Sequence, residues 1–234
     1  MQNVPTTLVI FPGLDGTGEL LADFVSSVGG SLKVQIIRYP ENESLGYEGL
    51  ATLALNQLPA DGRMVFLGES FGGPLAILVA STKPPGLAGV VLCASFAKFP
   101  LQSLRAMAPI VRMAPIFTAP RAVLGWLFLG GTERSGVLDV LVRVLRRLDR
   151  SVLRTRMEAT LRVDVLGKCA DLKVPLLCIR ATRDRVVPGT AAAAICNVAP
   201  QAQVLDVPAP HFVLQSCPRE SADAVVRFAN GAAF

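Results

Sequence analysis

One serine stands between two glycines directly after an apolar run, in the stretch Leu-Gly-Glu-Ser-Phe-Gly-Gly-Pro centred on Ser70. Residues 64–67 before it are typical of a strand. Residues 72–80 after it are typical of a helix, which tolerates Pro74 in its first turn. A serine on a tight turn from strand to helix is presented as a nucleophile, and the N–H groups at the helix start favour negative charge developing on oxygen. The alternative is that Ser70 only caps the helix in a structural or phosphate-binding turn.

A serine hydroxyl is a weak nucleophile and needs a base within hydrogen-bond reach. The chain has one histidine, His211. It follows the last predicted strand, Ala202–Val207, and precedes the last predicted helix, Pro218–Ala229. In a parallel sheet this loop opens at the carboxyl edge of the strands, the same edge as the turn that holds Ser70. We therefore interpret His211 as the base.

The base in turn needs an acid that fixes its orientation. Asp184 follows the predicted strand Leu176–Ala181 and so lies at the same edge. Asp206 is the rival, but it lies within a strand and close to His211 in the sequence. The loop after the preceding strand, residues 94–100, holds no carboxylate. Because two arginines flank Asp184, a surface ion pair is the alternative role for this residue.

A glycine-rich loop, Pro-Gly-Leu-Asp-Gly-Thr-Gly at residues 12–18, follows the first predicted strand. Its glycine spacing fits neither the phosphate-binding nor the dinucleotide-binding pattern. Beside a serine nucleophile, the backbone N–H of Leu14 would instead pair with that of Phe71 to bind an oxyanion. With a base, an acid and this loop at one edge, Ser70 is interpreted as a nucleophile.

These residues require a parallel sheet that brings the loops together. Short apolar runs alternate with helix-like periods such as residues 19–28 and 47–58, which is typical of a parallel sheet covered on both faces. We predict an α/β fold with a mostly parallel, six-stranded sheet and a core of residues 1–96 and 165–234. The predicted strands are residues 7–11, 33–39, 64–68, 89–94, 176–181 and 202–207.

Residues 97–164 break this alternation, because they carry only helical patterns and proline-rich turns. We predict that they form a helical lid inserted between two strands; additional packed helices are the alternative. Residues 101–162 hold eleven arginines and four acidic residues, a net charge of +7 in a chain of +5. Arginine suits carboxylate and phosphate partners, so we expect an acidic acyl carrier protein or an anionic membrane surface to dock there. A solvated basic face is the alternative. The expected docking residues are Arg143, Arg146, Arg147 and Arg150.

Composition excludes several other classes of protein. The 234 residues fit one α/β domain, and 51% of them are hydrophobic, but no apolar run is long enough to span a bilayer. The N-terminus carries no signal-peptide pattern. Five cysteines without metal-ligand spacing indicate free thiols in a reducing cytosol. We expect a cytoplasmic protein with no metal, no cofactor and no nucleic-acid partner.

Taken together, these motifs resemble the α/β-hydrolase superfamily over nearly the whole chain, including its order of serine, acid and histidine. The compact lidded layout is similar to the pimeloyl-ACP methyl ester esterases of biotin synthesis. The loop at residues 12–18 is similar to that of plastid phytyl ester synthases, which are acyltransferases. Many relatives have His-Gly where this chain has Pro-Gly, and its first predicted strand resembles the family's third, so we expect the family's first two strands to be absent. The resemblance implies these roles: Ser70 nucleophile, His211 base, Asp184 acid, and Leu14 and Phe71 amides as the oxyanion hole.

Three functions fit this resemblance. The leading hypothesis is a serine hydrolase that cleaves a carboxylic ester or thioester through an acyl-enzyme. The second is acyl transfer with the same residues, in which an alcohol replaces water. The third is a ligand-binding receptor on a hydrolase fold. Glu69 and Phe71, which flank the serine, differ from the commonest esterase residues, so the substrate is the open question.

Overall fold

A parallel sheet organises the chain in the computed structural model, which describes residues 6–100, 119–131 and 135–232. The strands are β1 (Thr7–Phe11), β2 (Lys33–Ile36), β3 (Met64–Glu69), β4 (Leu87–Cys93), β5 (Leu176–Ala181) and β6 (Ala202–Val207). They form one six-stranded sheet in the order β2-β1-β3-β4-β5-β6. Every neighbouring pair is parallel. The predicted sheet is therefore confirmed, and it is entirely rather than mostly parallel.

Helices connect the strands and cover the sheet. In the described ranges they are α1 (Ala22–Val28), α2 (Tyr47–Gln57), α3 (Gly72–Ser81), α4 (Arg121–Leu129), α5 (Ser135–Arg147), α6 (Arg150–Arg162), α7 (Leu166–Ala170), α8 (Thr190–Val198), α9 (Val213–Ser216) and α10 (Pro218–Ala229). Short 3₁₀ turns at Glu19–Leu21 and Gly29–Ser31 flank α1. Helices lie on both faces of the sheet, as predicted.

The alternation of side chains along the central strands creates two apolar cores. In β3, Met64 and Phe66 point to the face covered by α2, α3, α7 and α8. Val65 and Leu67 point to the face covered by α1, α9 and α10. Both sets are fully buried, because a parallel sheet between two helical layers leaves neither face to water.

Most strand boundaries match their predictions, and β2 differs most. It ends at Ile36 rather than at residue 39. Beyond Ile36 the chain turns towards other partners: the N–H of Arg38 donates to Oε1 of Gln57, and the N–H of Tyr39 donates to the carbonyl of Gly16. The predicted helix at residues 19–28 is a 3₁₀ turn followed by α1.

Helices α4, α5 and α6 lie between β4 and β5 in the chain, within the predicted insertion of residues 97–164. Below we call these three helices the insertion. The two ends of the predicted segment 97–164 meet where Lys98 and Asp164 form an antiparallel bridge and a 2.7 Å ion pair. The apolar stripe of α5 packs over the core loops beside Leu14, Leu20 and Phe212. Residues 101–118 and 132–134 of the predicted lid, with Arg105, Arg112 and Arg134, lie outside the described residues.

Two further observations concern only the described part of the chain. None of its helices combines the length and apolarity needed to cross a bilayer. Its His, Cys, Asp and Glu side chains form no group of three that could hold a metal ion. The five cysteines are free thiols, and Cys93, Cys169 and Cys178 are buried.

Candidate active site

Ser70 lies on the tight turn between β3 and α3, here called the elbow (residues 68–73). Its backbone φ is +49°, in the left-handed region that costs a non-glycine residue free energy. Glycines surround it because there is no room for side chains. A Cβ added at Gly72 would lie 2.0 Å from the Phe11 carbonyl oxygen, and one at Gly68 would lie 2.6 Å from Cα of Gly73. The glycines therefore allow the close packing that holds the serine in this conformation.

The end of β4 fixes the backbone of the serine. The N–H of Ser70 donates to the Cys93 carbonyl at 2.9 Å. Its carbonyl accepts a bond from Ser95 Oγ at 2.6 Å and one from the Gly73 N–H at 3.1 Å. Because both backbone groups are held, the side chain has a defined direction.

His211 lies between the serine and a carboxylate. Its Nε2 is 2.9 Å from Ser70 Oγ, and its Nδ1 is 2.8 Å from Asp184 Oδ2. The imidazole is 2% exposed and the carboxylate side chain 3% exposed. A carboxylate only accepts, so Nδ1 donates to Asp184 and Nε2 presents its lone pair to the serine hydroxyl. This arrangement can remove a proton from Ser70.

The carboxylate of Asp184 is itself held in place. Its Oδ1 accepts bonds from the N–H groups of Val186 at 2.7 Å and Val187 at 2.9 Å. These bonds turn Oδ2 towards the histidine. The acid is thus fixed by the backbone that follows it in sequence.

The alternatives for the acid have other partners. Asp206 forms a two-point ion pair with Arg180, with Nε–Oδ1 and Nη2–Oδ2 distances of 2.6 and 2.5 Å. The hydrogen bond from Arg180 lowers the pKa of Asp206. Arg183 binds the Pro208 carbonyl, and Arg185 binds the Trp126 carbonyl and lies 4.3 Å over its ring. The structure thus brings Asp184, and not Asp206, to His211.

Leu14 and Phe71, the residues predicted to supply the oxyanion donors, both line the cavity beside Ser70. Within the described ranges, neither the Leu14 N–H nor the Phe71 N–H donates to a protein acceptor. Phe71 is held by Tyr47, whose ring stacks on it at 4.5 Å and whose hydroxyl donates to its carbonyl at 3.1 Å. Both amides belong to residues that line the cavity above Ser70. They can donate to an oxygen that develops charge there.

An apolar cavity of about 280 Å³ extends from Ser70 and His211 into the insertion. Small-ligand sites are typically concave and mostly apolar with a few polar groups, and this cavity has that character. The insertion and the core loops both contribute large apolar side chains, among them Phe96, Phe128, Leu141, Leu145, Met157 and Phe212.

Glu69 is a functional candidate that the sequence interpretation gave no role. It is 5% exposed beside the cavity, and its Oε1 accepts a 2.8 Å bond from Gln215 Nε2. Burial raises the pKa of Glu69 to about 7, against the hydrogen bonds from Gln215 and the Gly13 N–H. In the sequence, the signal that could have identified Glu69 as a functional candidate was a charged residue at the end of an apolar strand.

The predicted docking arginines are exposed on α5 and at the start of α6, but two of them bind the core. Arg147 bridges Glu19 at 2.6 Å and Glu41 at 2.9 Å, and Arg143 lies 3.4 Å from Glu19. The bond from Arg147 lowers the pKa of Glu19. Arg156, one of the eleven arginines of residues 101–162, is fully buried. The insertion is therefore less basic at its surface than the sequence suggests.

Comparison with known proteins gives the same architecture. A family model described as the alpha/beta hydrolase family matches residues 8–224. Phytyl ester synthase 1, chloroplastic, of Arabidopsis thaliana is 30% identical over 132 residues. That match covers 53% of this chain but only 19% of the relative, so the chain spans a small part of its length.

Solved structures match nearly the whole chain. An enol-lactonase from Burkholderia xenovorans LB400 superposes with a TM-score of 0.83 at 18% identity, over 97% of this chain and 92% of that one. A hydrolase from Pseudomonas aeruginosa PA01 gives 0.81 at 19%, over 99% and 92%. An esterase from Thermogutta terrifontis gives 0.74 at 19%, over 97% and 90%. At these identities the likeness establishes the fold alone.

Proposed function

The chain belongs to the alpha/beta hydrolase family, and from that premise we propose that it is a serine hydrolase of carboxylic esters or thioesters. The observation that carries the proposal is the hydrogen-bonded line from Ser70 Oγ through His211 to Asp184. This line lies beside the apolar cavity, and an ester with an apolar acyl chain fits both features.

In the proposed first step, Ser70 Oγ attacks the carbonyl carbon while its proton passes to His211 Nε2. The imidazolium that forms is stabilised by Asp184. The carbonyl oxygen becomes an oxyanion and accepts bonds from the Leu14 and Phe71 N–H groups. When the carbon–oxygen or carbon–sulfur bond breaks, His211 returns the proton to the leaving alkoxide or thiolate, and the acyl group stays on Ser70.

The second step repeats the chemistry with water. His211 Nε2 removes a proton from a water molecule, whose oxygen attacks the acyl carbon of the ester on Ser70. The second tetrahedral intermediate uses the same two amides. Its collapse returns the proton to Ser70 Oγ and releases a carboxylic acid.

The volume of the cavity defines the acyl group that we propose. About 280 Å³ holds nine or so groups of the ~30 Å³ that one water molecule occupies in the liquid. A methylene group is similar in size, so an acyl chain of about eight to ten carbons fills the space.

A fluorophosphonate probe tests the proposed chemistry directly. We expect one probe molecule per protein, attached to Ser70, and no labelling of the Ser70→Ala variant. Ser81→Ala is a matched control, because Ser81 lies at the end of α3 and donates only to the Leu78 carbonyl. An unlabelled wild-type protein would instead support the ligand-binding receptor.

Acyl transfer is the second candidate, favoured by the 30% identity to a protein named phytyl ester synthase 1. An apolar cavity beside the serine favours a long-chain alcohol over water as the acceptor. Incubation of an acyl donor with a competing alcohol, followed by product analysis, separates the two reactions. Free acid as the main product supports hydrolysis, and a new ester supports transfer.

A more specific proposal is that the substrate is attached to a carrier protein. An acyl methyl ester on acyl carrier protein would need a basic docking surface beside the cavity. The exposed Arg146 supports one, whereas the ion pairs of Arg143 and Arg147 with core residues weaken it. An acidic carrier would have to displace or extend those pairs.

A further inference from the structure

A buried arginine of the insertion contacts the loop that carries one of the proposed oxyanion donors. Arg156 lies on α6 and is 0% exposed. Its Nη1 donates to the carbonyls of Leu14 at 3.0 Å and Asp15 at 2.9 Å, and its Nη2 donates to the Pro40 carbonyl at 2.8 Å. The guanidinium carbon also lies 5.3 Å from the centre of the Tyr39 ring.

This burial is unfavourable for the arginine itself. Removal from water lowers the pKa of Arg156, although a guanidinium stays protonated in proteins. Its hydrogen-bond acceptors are neutral carbonyls, and its Nε has no partner in the described part of the chain. An apolar side chain would fill the same space without that cost. The geometry of the carbonyls, rather than packing, accounts for an arginine here.

The loop at residues 12–15 is held at four consecutive carbonyls. The Tyr39 hydroxyl donates to Pro12 at 3.0 Å, and the Gly16 N–H donates to Gly13 at 3.1 Å. Arg156 holds the next two, those of Leu14 and Asp15. Of these carbonyls, only those of Leu14 and Asp15 are held from the insertion.

These bonds determine where the Leu14 N–H points. In a trans peptide the N–H points opposite to the carbonyl of the same peptide plane. The Gly13 carbonyl is turned to Gly16, so the Leu14 N–H points the other way. The next peptide plane, between Leu14 and Asp15, is held by the bond from Arg156 to the Leu14 carbonyl. The peptide planes on both sides of the Leu14 Cα are therefore held, which restricts rotation about its backbone bonds.

We propose that Arg156 is a positioning residue that steadies the loop carrying the Leu14 N–H for the oxyanion, so that docking of α6 on the core completes the donor pair. The inference rests on the proposed hydrolase function. Arg156 touches no reacting atom and acts through the backbone of Leu14 and Asp15. Docking of the insertion then completes the oxyanion site that the core loop begins.

The test compares Arg156→Ala and Arg156→Lys with the wild type and with Arg154→Ala, an exposed arginine two residues away on the same helix. Removing one oxyanion donor typically lowers kcat about 10²- to 10³-fold, so we expect a loss on the order of 100-fold in Arg156→Ala. KM for a p-nitrophenyl ester should change by less than about threefold, since the loss falls on the transition state. Arg154→Ala should match the wild type.

Two further measurements separate positioning from general loss of structure. A trifluoromethyl ketone forms a tetrahedral oxyanion on the serine, so its affinity should fall in proportion to kcat. Methylguanidinium added to Arg156→Ala should restore activity, whereas methylammonium should not, because only the planar cation can bridge the carbonyls. Arg156→Lys should lie between the wild type and Arg156→Ala, and it provides a folded variant if Arg156→Ala does not fold.

The outcomes distinguish the two proposals. If the wild type cleaves esters and Arg156→Ala keeps its kcat, or loses it only in step with a fall in folded fraction, the positioning role is wrong. A rise in KM alone, with unchanged affinity for the ketone, also overturns it. If the wild type neither cleaves an ester nor reacts with a fluorophosphonate, the proposed function fails first, and this inference fails with it.

Discussion

Glu69 makes the stability of this protein depend on pH in a direction opposite to that of most carboxylates. Burial raises its pKa from 4.5 to about 7, so the folded state holds a proton that the unfolded chain has already released at pH 6. A group of this kind contributes its full stability below pH 4.5 and loses it as the pH rises through about 7. The shift of 2.5 units corresponds to about 3 kcal/mol, at 1.36 kcal/mol per unit.

The substitution that isolates this effect is Glu69→Gln. The amide keeps the size of the side chain, and its oxygen can still accept the hydrogen bond from Gln215, but it cannot ionise. Between pH 5 and pH 8 the free energy of unfolding of the wild type should fall by roughly 2 to 3 kcal/mol relative to the variant. Other titrating groups are common to both proteins and cancel in the difference.

Urea unfolding at pH 5, 6, 7 and 8, followed by circular dichroism, measures this difference. Glu48→Gln is the control for replacement of an exposed glutamate, because Glu48 is exposed on α2. If the Glu69→Gln and wild-type curves run parallel, or diverge towards acid pH, the proton on the buried carboxyl is assigned wrongly.

Four further outcomes follow from the site. Ser70→Ala should lower ester turnover by several powers of ten with an unchanged circular dichroism spectrum, and near-normal activity would refute the nucleophile. Asp184→Asn should lower kcat less than Ser70→Ala does, but still on the order of 10³-fold or more, while Asp206→Asn should be nearly silent; the reverse pattern would exchange their roles. With p-nitrophenyl esters, kcat/KM should peak near eight to ten carbons, and Leu145→Trp should move the peak to shorter chains; an unchanged profile would exclude the cavity as the acyl site. Arg146→Glu should weaken turnover of a carrier-bound ester selectively and salt should mimic it, since the screening length shrinks from ~30 Å at 0.01 M to ~10 Å at 0.1 M; equal effects on a neutral ester would exclude docking there.

The sequence predicts the sheet well because each strand is a local pattern. In a doubly covered parallel sheet nearly every strand residue is apolar, and glycine, proline or aspartate marks the ends. The loop positions follow from one rule, that ligand sites open at the carboxyl ends of such strands. Ser70, Asp184 and His211 could be assigned to one edge for that reason, and the structure brings them within hydrogen-bond distance.

Arg156 shows where such reasoning stops. It stands four residues after Val152 and three after Leu153, on the buried side of α6, and that spacing was a signal of burial. Nothing local indicates its acceptors, which lie more than a hundred residues away in the chain. The same holds for Arg147, whose partners Glu19 and Glu41 belong to the core. Net charge cannot separate arginines that dock partners from arginines that hold the protein together.

His211 is the only histidine in the chain, and its side chain is 2% exposed. The protein therefore carries one imidazole reporter at its proposed reaction centre without any labelling. A small electrophile such as diethyl pyrocarbonate can reach that ring through the cavity that His211 lines. Its rate of reaction, followed by the absorbance of the carbethoxylated imidazole, measures how accessible the ring is from solvent. A bound acyl-chain ligand should slow this modification of His211, so occupancy of the cavity can be measured without turnover.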